Sequence, residues 1–265
     1  MVRFLPFMNR KPMVAVVRLQ GMIAASGSPG RLNDAALAAI LDVAFRRGRP
    51  QAVALVINSP GGSPVQSALI AARIRRLSEE HAVPVHAFVE DVAASGGYWL
   101  ATAADEIHVD ANSIVGSIGV ISAGFGLHEA IARIGVERRV HTAGESKSQM
   151  DPFRPENPED VARLKVLLEQ MHGNFITQVR ARRGAKLAGD ELFTGEFWLG
   201  AQAVELGLAD SIGHLVPVLK ARFGEKLRFR QYGLRRPFLS RLGLGLMRDA
   251  LALTEERALY ARYGL

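Results

Sequence analysis

Short apolar blocks separated by polar turns run along the first two-thirds of the chain. The blocks at 13–22, 52–58 and 83–89 are rich in valine and apolar at successive positions, a pattern typical of buried parallel strands. Apolar residues at helical spacing follow Asn33 and Asn157. Strands that alternate with helices predict an α/β fold with right-handed crossovers. The same patterns predict further helices from Ser63, at 95–105 and at 126–134, and further strands at 106–110, 113–121 and 137–142.

For two of these helices the sequence also predicts which side chains face the core. Ser63 followed by Pro64 is a typical helix start, with serine as the N-cap and proline in the first turn. The side chains expected to face the core are Val65, Leu69, Ile70, Ile74 and Leu77 in this helix, and Val161, Leu164, Leu168, Met171, Phe175 and Val179 in the helix after Asn157.

No apolar run reaches the roughly 18 residues that a membrane-spanning helix needs. Arg3, Arg10, Lys11 and Arg18 interrupt the first twenty residues, which also lack the apolar core and cleavage site of a secretory signal. These features predict a protein that is cytoplasmic or peripheral to the inner membrane.

The amino-acid composition excludes several classes of protein and of functional site. With 48% hydrophobic and 22% charged residues among 265, the chain can bury a sizeable core and is not disordered in bulk. It has no cysteine, which excludes disulfides, thiolate metal sites and a cysteine nucleophile.

The net charge of +7 lies in the C-terminal part, because residues 220–265 hold eleven Lys/Arg against four Asp/Glu. A basic domain of the kind that binds nucleic acid is therefore not indicated. The basic and apolar residues of 235–248 favour binding to an anionic membrane surface, or packing on a neighbouring subunit. We divide the chain into an N-terminal segment, 1–12, a main domain, 13–219, and a basic amphipathic extension, 220–265.

Ser95 is the strongest candidate for chemistry. It stands in Ala-Ser-Gly-Gly-Tyr-Trp between a predicted strand and a predicted helix, where free N–H groups favour an oxyanion. The simpler interpretation is an N-cap serine with glycines for a tight turn. Asn-Ser-Pro-Gly-Gly, 58–62, also follows a strand, and it is either an ordinary turn or a second source of N–H groups for a carbonyl oxygen.

A serine nucleophile needs a base, and none of the seven histidines stands in a catalytic context. Lysine is the alternative, and only six lysines occur against 27 arginines. Lys147 lies in a loop before Pro152-Phe153 and is either this base or a solvated loop residue.

Five separated segments together resemble signal peptide peptidase A, or protease IV. They are the Ser95 segment, the 58–62 turn, Val-Gly-Ser-Ile-Gly-Val-Ile at 115–121, the Lys147 loop and residues 194–213. The resemblance covers about 13–215 and implies the Clp-protease/crotonase fold, a repeated ββα superhelix.

That resemblance also implies roles for five residues. Ser95 would be the nucleophile, Lys147 the general base and Ser117 the hydroxyl that orients the lysine, with the N–H groups of Gly62 and Gly96 as the oxyanion hole. It implies a serine endopeptidase without cofactor or metal, acting on extended peptides such as signal-peptide remnants or membrane-associated proteins. It further implies a homo-oligomer in which serine and lysine of each site come from different copies.

The chain departs from the family in two respects. It lacks the N-terminal anchor usual in bacterial members, and the extension after about residue 220 matches no family motif. Two alternatives stay open on the same fold: a crotonase-type acyl-CoA enzyme, which would use carboxylates in place of Ser95 and Lys147, and a non-catalytic membrane-associated scaffold.

Overall fold

One eight-stranded sheet, with helices on its faces, organises the chain. A computed structural model describes residues 11–25, 31–144, 146–233 and 257–265. The strands are β1 Met13–Gln20, β2 Ala52–Ser59, β3 Val85–Ala94, β4 Glu106–Val109, β5 Ile114–Gly116, β6 Phe197–Leu199, β7 Ser211–Ile212 and β8 Arg228–Tyr232. The α-helices are α1 Asp34–Arg46, α2 Pro64–His81, α3 Gly96–Ala101, α4 His128–Arg133, α5 Pro158–Arg183, α6 Gly200–Glu205 and α7 Leu215–Phe223.

The sheet has the order β6-β5-β3-β2-β1-β8, and every pairing is parallel except β5 with β6. Strand β3 is unusual because one of its edges serves two partners in succession. Residues 86–89 pair with β4, which in turn pairs with β7, and residues 92–94 pair with β5. The end of β3 therefore lies beside β5, where the candidate nucleophile follows.

The core lies on both faces of the sheet. Every residue of β2 is buried, as its uninterrupted apolar sequence predicts. On one face, α1, α2, α3 and part of α5 contribute side chains such as Leu41, Ile74 and Phe175 to the main cluster. On the other face, Val16, Phe88 and their neighbours pack against Leu219 of α7 and Leu227.

The elements predicted for the first half of the chain agree best with the structure. Asn33 caps α1 by accepting a hydrogen bond from the Ala36 N–H, and Ser63 caps α2 by accepting one from the Gln66 N–H. Of the side chains predicted to face the core from α2, Ile70, Ile74 and Leu77 are buried, but Val65 and Leu69 are exposed. Of the side chains predicted to face the core from α5, only Phe175 and Val179 are fully buried, and Met171 is exposed.

Two predicted strands between residues 113 and 142 are corrected. Strand β5 ends at Gly116, and residues 117–127 form no regular element. Residues 137–142 form no strand and are almost entirely exposed. Ile118, Val120 and Ile121 in the first stretch and Val140 in the second have strand propensity, but no strand of the described chain pairs with them.

Residues beyond the proposed domain boundary at 219 are still part of the sheet domain. A boundary after residue 219 falls inside α7, and β8 pairs with β1 along the far edge of the sheet. Residues 257–261 are helical, and Tyr260 and Tyr263 pack against Val92, Ala94 and Ile114. The segment 235–248, for which membrane binding is predicted, lies outside the described residues, so that interpretation stays a prediction.

Within the described part of the chain, no helix has the length and apolarity to cross a bilayer.

A buried ion pair ties the end of α5 to the turn before β7. The Arg183 side chain is 3% exposed and donates to Asp210 at 2.8 Å and to the Gly207 carbonyl at 2.8 Å. Asp210 also accepts from Lys186 at 2.6 Å and from the Ile107 N–H at 2.7 Å. Burial alone would raise the pKa of Asp210, but the hydrogen bonds from Arg183 and Lys186 outweigh it and lower the pKa to about 2.

We expect Asp210→Asn to lower the free energy of unfolding by about 3 kcal/mol, because it leaves a guanidinium buried without its counter-charge. Urea denaturation at neutral pH measures this effect. The matched control is Asp190→Asn at a pair whose carboxylate side chain is 83% exposed, which we expect to cost less than about 1 kcal/mol. The folded pKa lies below the ordinary value of 3.8, so the stabilisation is complete above 3.8 and is lost as pH falls towards 2. Equal destabilisation by both variants would contradict this account of the ion pair.

Candidate active site

Ser95 stands at the junction between β3 and α3 in a strained backbone conformation. Its φ of 52° and ψ of −123° are rare for a residue with a side chain. Its N–H donates to the Gly116 carbonyl at 2.8 Å and its own carbonyl accepts from Trp99 at 3.0 Å. Such strain costs on the order of 1–3 kcal/mol and persists only where surrounding structure imposes it.

The Ser95 side chain does not serve as a helix cap. Its hydroxyl makes no capping hydrogen bond to α3 and has no hydrogen-bond partner among the described residues. The residue is only partly buried, so a substrate can reach it. The interpretation of Ser95 as an ordinary N-cap serine is therefore wrong.

Glycines bring two neighbouring turns against Ser95. A Cβ at Gly61, where φ is 96°, would lie 2.8 Å from the Ser95 Cβ and 2.7 Å from the Gly96 nitrogen. A Cβ at Gly96 would lie 2.4 Å from the Ser67 Oγ, and one at Gly97 would lie 2.3 Å from the Ser59 carbonyl oxygen. No side chain fits at these positions, so the two turns pack backbone to backbone.

This packing brings two backbone donors to the serine from different strand ends. Gly62, with φ of 138°, follows β2, and Gly96 follows β3. Neither N–H donates to an acceptor in the described part of the chain. Gly62 is exposed, and a Cβ there would lie 2.0 Å from the Ile23 carbonyl oxygen. The structure thus places both glycines of the predicted oxyanion hole in the turns around Ser95.

Ser117 follows β5 directly and lies next to this junction. The pairing of Ala94 with Gly116 brings the ends of β3 and β5 together, so that Ser95 and Ser117 leave the sheet side by side. Ser117 also has a positive φ, of 52°, and its N–H donates to the Glu196 carbonyl at 2.6 Å. Two serines with strained backbones therefore stand at adjacent strand ends.

Tyr263 is a neighbour of Ser117 that the sequence did not reveal. Its hydroxyl donates to the Ser117 Oγ at 3.4 Å, and its ring meets the Phe197 ring edge-on at 5.2 Å. One helical turn earlier, the Tyr260 hydroxyl donates to the Asn58 carbonyl at 2.9 Å. The only signal in the sequence is the spacing of the two tyrosines on one helical face, which does not say what that face contacts.

Lys147 does not meet the other site residues within one chain. It lies on an exposed turn, where its N–H donates to the Gly144 carbonyl at 3.2 Å. Among the described residues, no hydrogen bond or ion pair of its amine is formed with Ser95, Ser117 or any other side chain. The described residues of one chain therefore bring serines and N–H donors together without a base bonded to either serine.

In the described residues, no histidine ring makes a hydrogen bond to the Ser95 hydroxyl. The Nε2 of His172 lies 2.9 Å from the carbonyl oxygen of Ile118, the neighbour of Ser117. A nitrogen that contacts a carbonyl oxygen must donate, so it cannot accept a serine proton.

Similarity to known proteins shows which family the chain belongs to. The profile of peptidase family S49 matches residues 78–222, more than half of the chain and a span that includes Ser95, Ser117 and Lys147. The chain belongs to peptidase family S49. Protease 4 of Haemophilus influenzae is 32% identical over 207 residues, which cover 76% of this chain and 32% of that protein.

Another relative carries a name of a different kind. A Brucella melitensis protein named Na(+)/H(+) antiporter NhaA is 46% identical over 271 residues, covering 95% of this chain and 37% of that protein. The chain thus spans about a third of the length of these two relatives.

A solved structure supports the fold. The 1510-N membrane-bound stomatin-specific protease, solved as a mutant in complex with a substrate peptide, matches 88% of this chain and 96% of its own with a TM-score of 0.55 at 14% identity. The S49 family and this fold confirm the resemblance to protease IV and to the Clp-protease/crotonase architecture.

Proposed function

We propose that this S49 peptidase is a serine endopeptidase in which Ser95 is the nucleophile and Lys147 the general base. The observation that carries the proposal is the geometry of Ser95, a strained serine with an unpartnered hydroxyl between two unpartnered backbone N–H groups of the described chain. Strain of this kind is retained where it orients a reacting group. A structural serine would gain from relaxing it.

In the proposed mechanism the neutral Lys147 amine takes the Ser95 proton as the Ser95 oxygen bonds to the peptide carbonyl carbon. The N–H groups of Gly62 and Gly96 stabilise the negative charge on the carbonyl oxygen. The C–N bond then breaks, and the leaving amine takes its proton from Lys147. Water attacks the resulting ester by the same route in reverse and releases the second product and the serine.

The lysine is proposed to come from a second copy of the chain. The segment that carries it, residues 121–156, will be called the arm. The arm is braced by its own contacts, such as the Leu127 N–H to the Pro152 carbonyl at 2.6 Å and Arg138 to Asp151 at 3.2 Å. Apolar side chains on it are nonetheless exposed: Ile121 by 63%, Phe125 by 85%, Ile134 by 75% and Val136 by 51%.

An exposed apolar patch on a braced segment is typical of a subunit interface. Packing of the arm on a neighbouring copy would bury these side chains and exclude water from Lys147, which favours the neutral amine. In a closed ring each copy would supply its arm to one neighbour and its Ser95 to itself. Ser117, beside Ser95, would then accept a hydrogen bond from the incoming amine and orient it.

The proposed substrates are extended peptides presented at a membrane surface, such as signal-peptide remnants or segments of membrane-associated proteins. Relatives named for signal peptides and for a membrane-bound protease support this class. The Brucella relative, whose name is that of an ion antiporter, supports a location next to a membrane. We accordingly propose that the chain acts as a peripheral protein there.

The experiment that tests this proposal is labelling with a fluorophosphonate followed by mass mapping of the modified residue. We expect one label per chain, on Ser95, because only an activated serine attacks this reagent. Prior incubation with a small-residue peptide aldehyde should prevent the label. An acyl-CoA enzyme of the crotonase type, or a scaffold, would leave Ser95 unmodified under the same conditions.

A further inference from the structure

Two histidines and a glutamate converge on the face of the sheet opposite the main helices. His86 is on β3, and Glu106 and His108 are on β4, with His86 directly opposite Glu106 in the pairing register. Alternation places the side chains of 106 and 108 on one face, so all three point to the same side. The cluster stands at the start of β3, nine residues and thus roughly 30 Å from Ser95.

The donor atoms lie at distances that suit a metal ion better than hydrogen bonds. The Glu106 Oε2 is 3.7 Å from the His86 Nδ1 and 3.5 Å from the His108 Nε2. Both separations are too long for a hydrogen bond. Ligands about 2.0–2.1 Å from a tetrahedral zinc ion lie about 3.4 Å from one another. All three donor atoms lie within 4.8 Å of each other.

The two nitrogens that face the glutamate are buried and have no hydrogen-bond partner in the described chain. The His86 and His108 side chains are 2% and 5% exposed, and neither the His86 Nδ1 nor the His108 Nε2 makes a hydrogen bond. Leaving such groups unpaired is costly, and a native structure usually has a reason for each.

The surroundings of His108 are those of a metal ligand. Its Nδ1 lies 2.9 Å from the Ser211 Oγ of β7. With the proton on Nδ1, this contact is a hydrogen bond to the serine oxygen, and the Nε2 lone pair is directed at Glu106. Ligating histidines are generally held through their second nitrogen in this way.

Arg222 of α7 is the cation that now pairs with Glu106. Its guanidinium donates to both Glu106 oxygens, at 2.8 and 3.0 Å, and its Nη1 lies 3.2 Å from the His86 Nε2. Because a guanidinium can only donate, that contact keeps the His86 proton on Nδ1. A metal at Nδ1 requires the proton to move to Nε2 and Arg222 to withdraw. The Arg222 side chain is 43% exposed, so solvent can receive it.

We propose that His86 Nδ1, Glu106 Oε2 and His108 Nε2 form a binding site for a divalent transition-metal ion of the zinc class, in exchange with the Arg222 guanidinium. Two imidazoles and one carboxylate are a donor set that zinc accepts, with a water completing the coordination. The site is independent of the peptidase mechanism, since none of its residues contacts Ser95, Ser117 or Lys147.

Because the metal ion and the Arg222 guanidinium compete for Glu106, the proposal can be tested by metal binding to variants. Full-length protein, stripped with chelator and dialysed, is titrated with Zn²⁺ by calorimetry and with Co²⁺ by visible absorbance, which reports nitrogen and oxygen coordination. We expect one ion per chain. Arg222→Gln should bind about tenfold more tightly because a competing positive charge is gone. Ser211→Ala should bind about tenfold more weakly, and His108→Gln should lose the site.

His214→Gln is the matched control, because this histidine is 66% exposed and pairs with Asp110 at 3.1 Å away from the cluster. It should bind as the unaltered protein does. Circular dichroism checks that each variant is folded, and if His108→Gln is not, the opposite shifts of Arg222→Gln and Ser211→Ala decide the matter. Absence of binding by both the unaltered protein and Arg222→Gln would overturn the proposal, as would equal affinity in all variants.

Discussion

Ser95→Ala is expected to abolish peptidase activity, lowering kcat/KM by about a thousandfold or more, while the protein stays folded. Loss of the nucleophile removes the covalent route and leaves only binding and the N–H donors. The variant should be nearly as stable as the unaltered protein, within about 0.5 kcal/mol, because the serine side chain caps nothing and alanine shares its backbone strain. Hydrolysis of a small-residue peptide ester and a thermal melt measure the two effects.

The control is Thr177→Ala, which also removes a single hydroxyl but at an exposed position of α5, outside the arm. It should retain full activity. If Ser95→Ala turned over peptide esters at the unaltered rate, Ser95 would not be the nucleophile.

Lys147→Arg is expected to be as inactive as Lys147→Ala. A guanidinium stays protonated at every working pH, so it preserves the charge and most of the length of lysine but cannot accept the serine proton. We expect a loss of at least about a hundredfold in kcat, the usual contribution of a general base. Steady-state hydrolysis of the same peptide ester measures it.

Lys165→Arg, on the exposed side of α5, is the control and should leave the rate unchanged. The unaltered enzyme should become faster towards alkaline pH, because only the neutral amine acts as base. A rate governed by an ionisation at about 6.5 would indicate a histidine in its place.

The parts of the fold that the sequence predicts are those set by local pattern. Strand β2 is buried on both faces and reads as an unbroken apolar run, and Asn33 and Ser63 cap helices at the places where capping residues precede apolar periodicity. Ser95 could be singled out because glycines that allow backbone contact leave a recognisable local sequence.

The features that could not be predicted from the sequence depend on contacts between residues far apart in the chain. Residues 137–142 include Val140 and Thr142, which favour strands, but pairing requires a neighbour, and the arm has none among the described residues of one copy. Val65 and Leu69 fit the apolar stripe of α2 and are exposed because no element of the described chain covers that part of the helix. The contact of Tyr263 with Ser117 spans 146 residues, a separation that no periodicity encodes.

The charged clusters escaped prediction for the same reason. His86 and His108 stand in strand patterns that favour a purely structural role, and only the register between β3 and β4 brings them together with Glu106. Arg183 and Asp210 likewise meet across a separation of 27 residues in the chain.

The central claim is that Ser95 of one copy and Lys147 of another make one active site, and mixing of two inactive variants tests it most directly. Ser95→Ala and Lys147→Ala chains, each with a different affinity tag, are co-expressed, and hybrid oligomers are isolated by both tags in succession. With random mixing, about one site in four combines an intact serine with an intact lysine, so we predict about a quarter of the unaltered activity. Hybrid oligomers that mass analysis verifies but that remain inactive would show that the pair is not shared between copies, and would contradict the account.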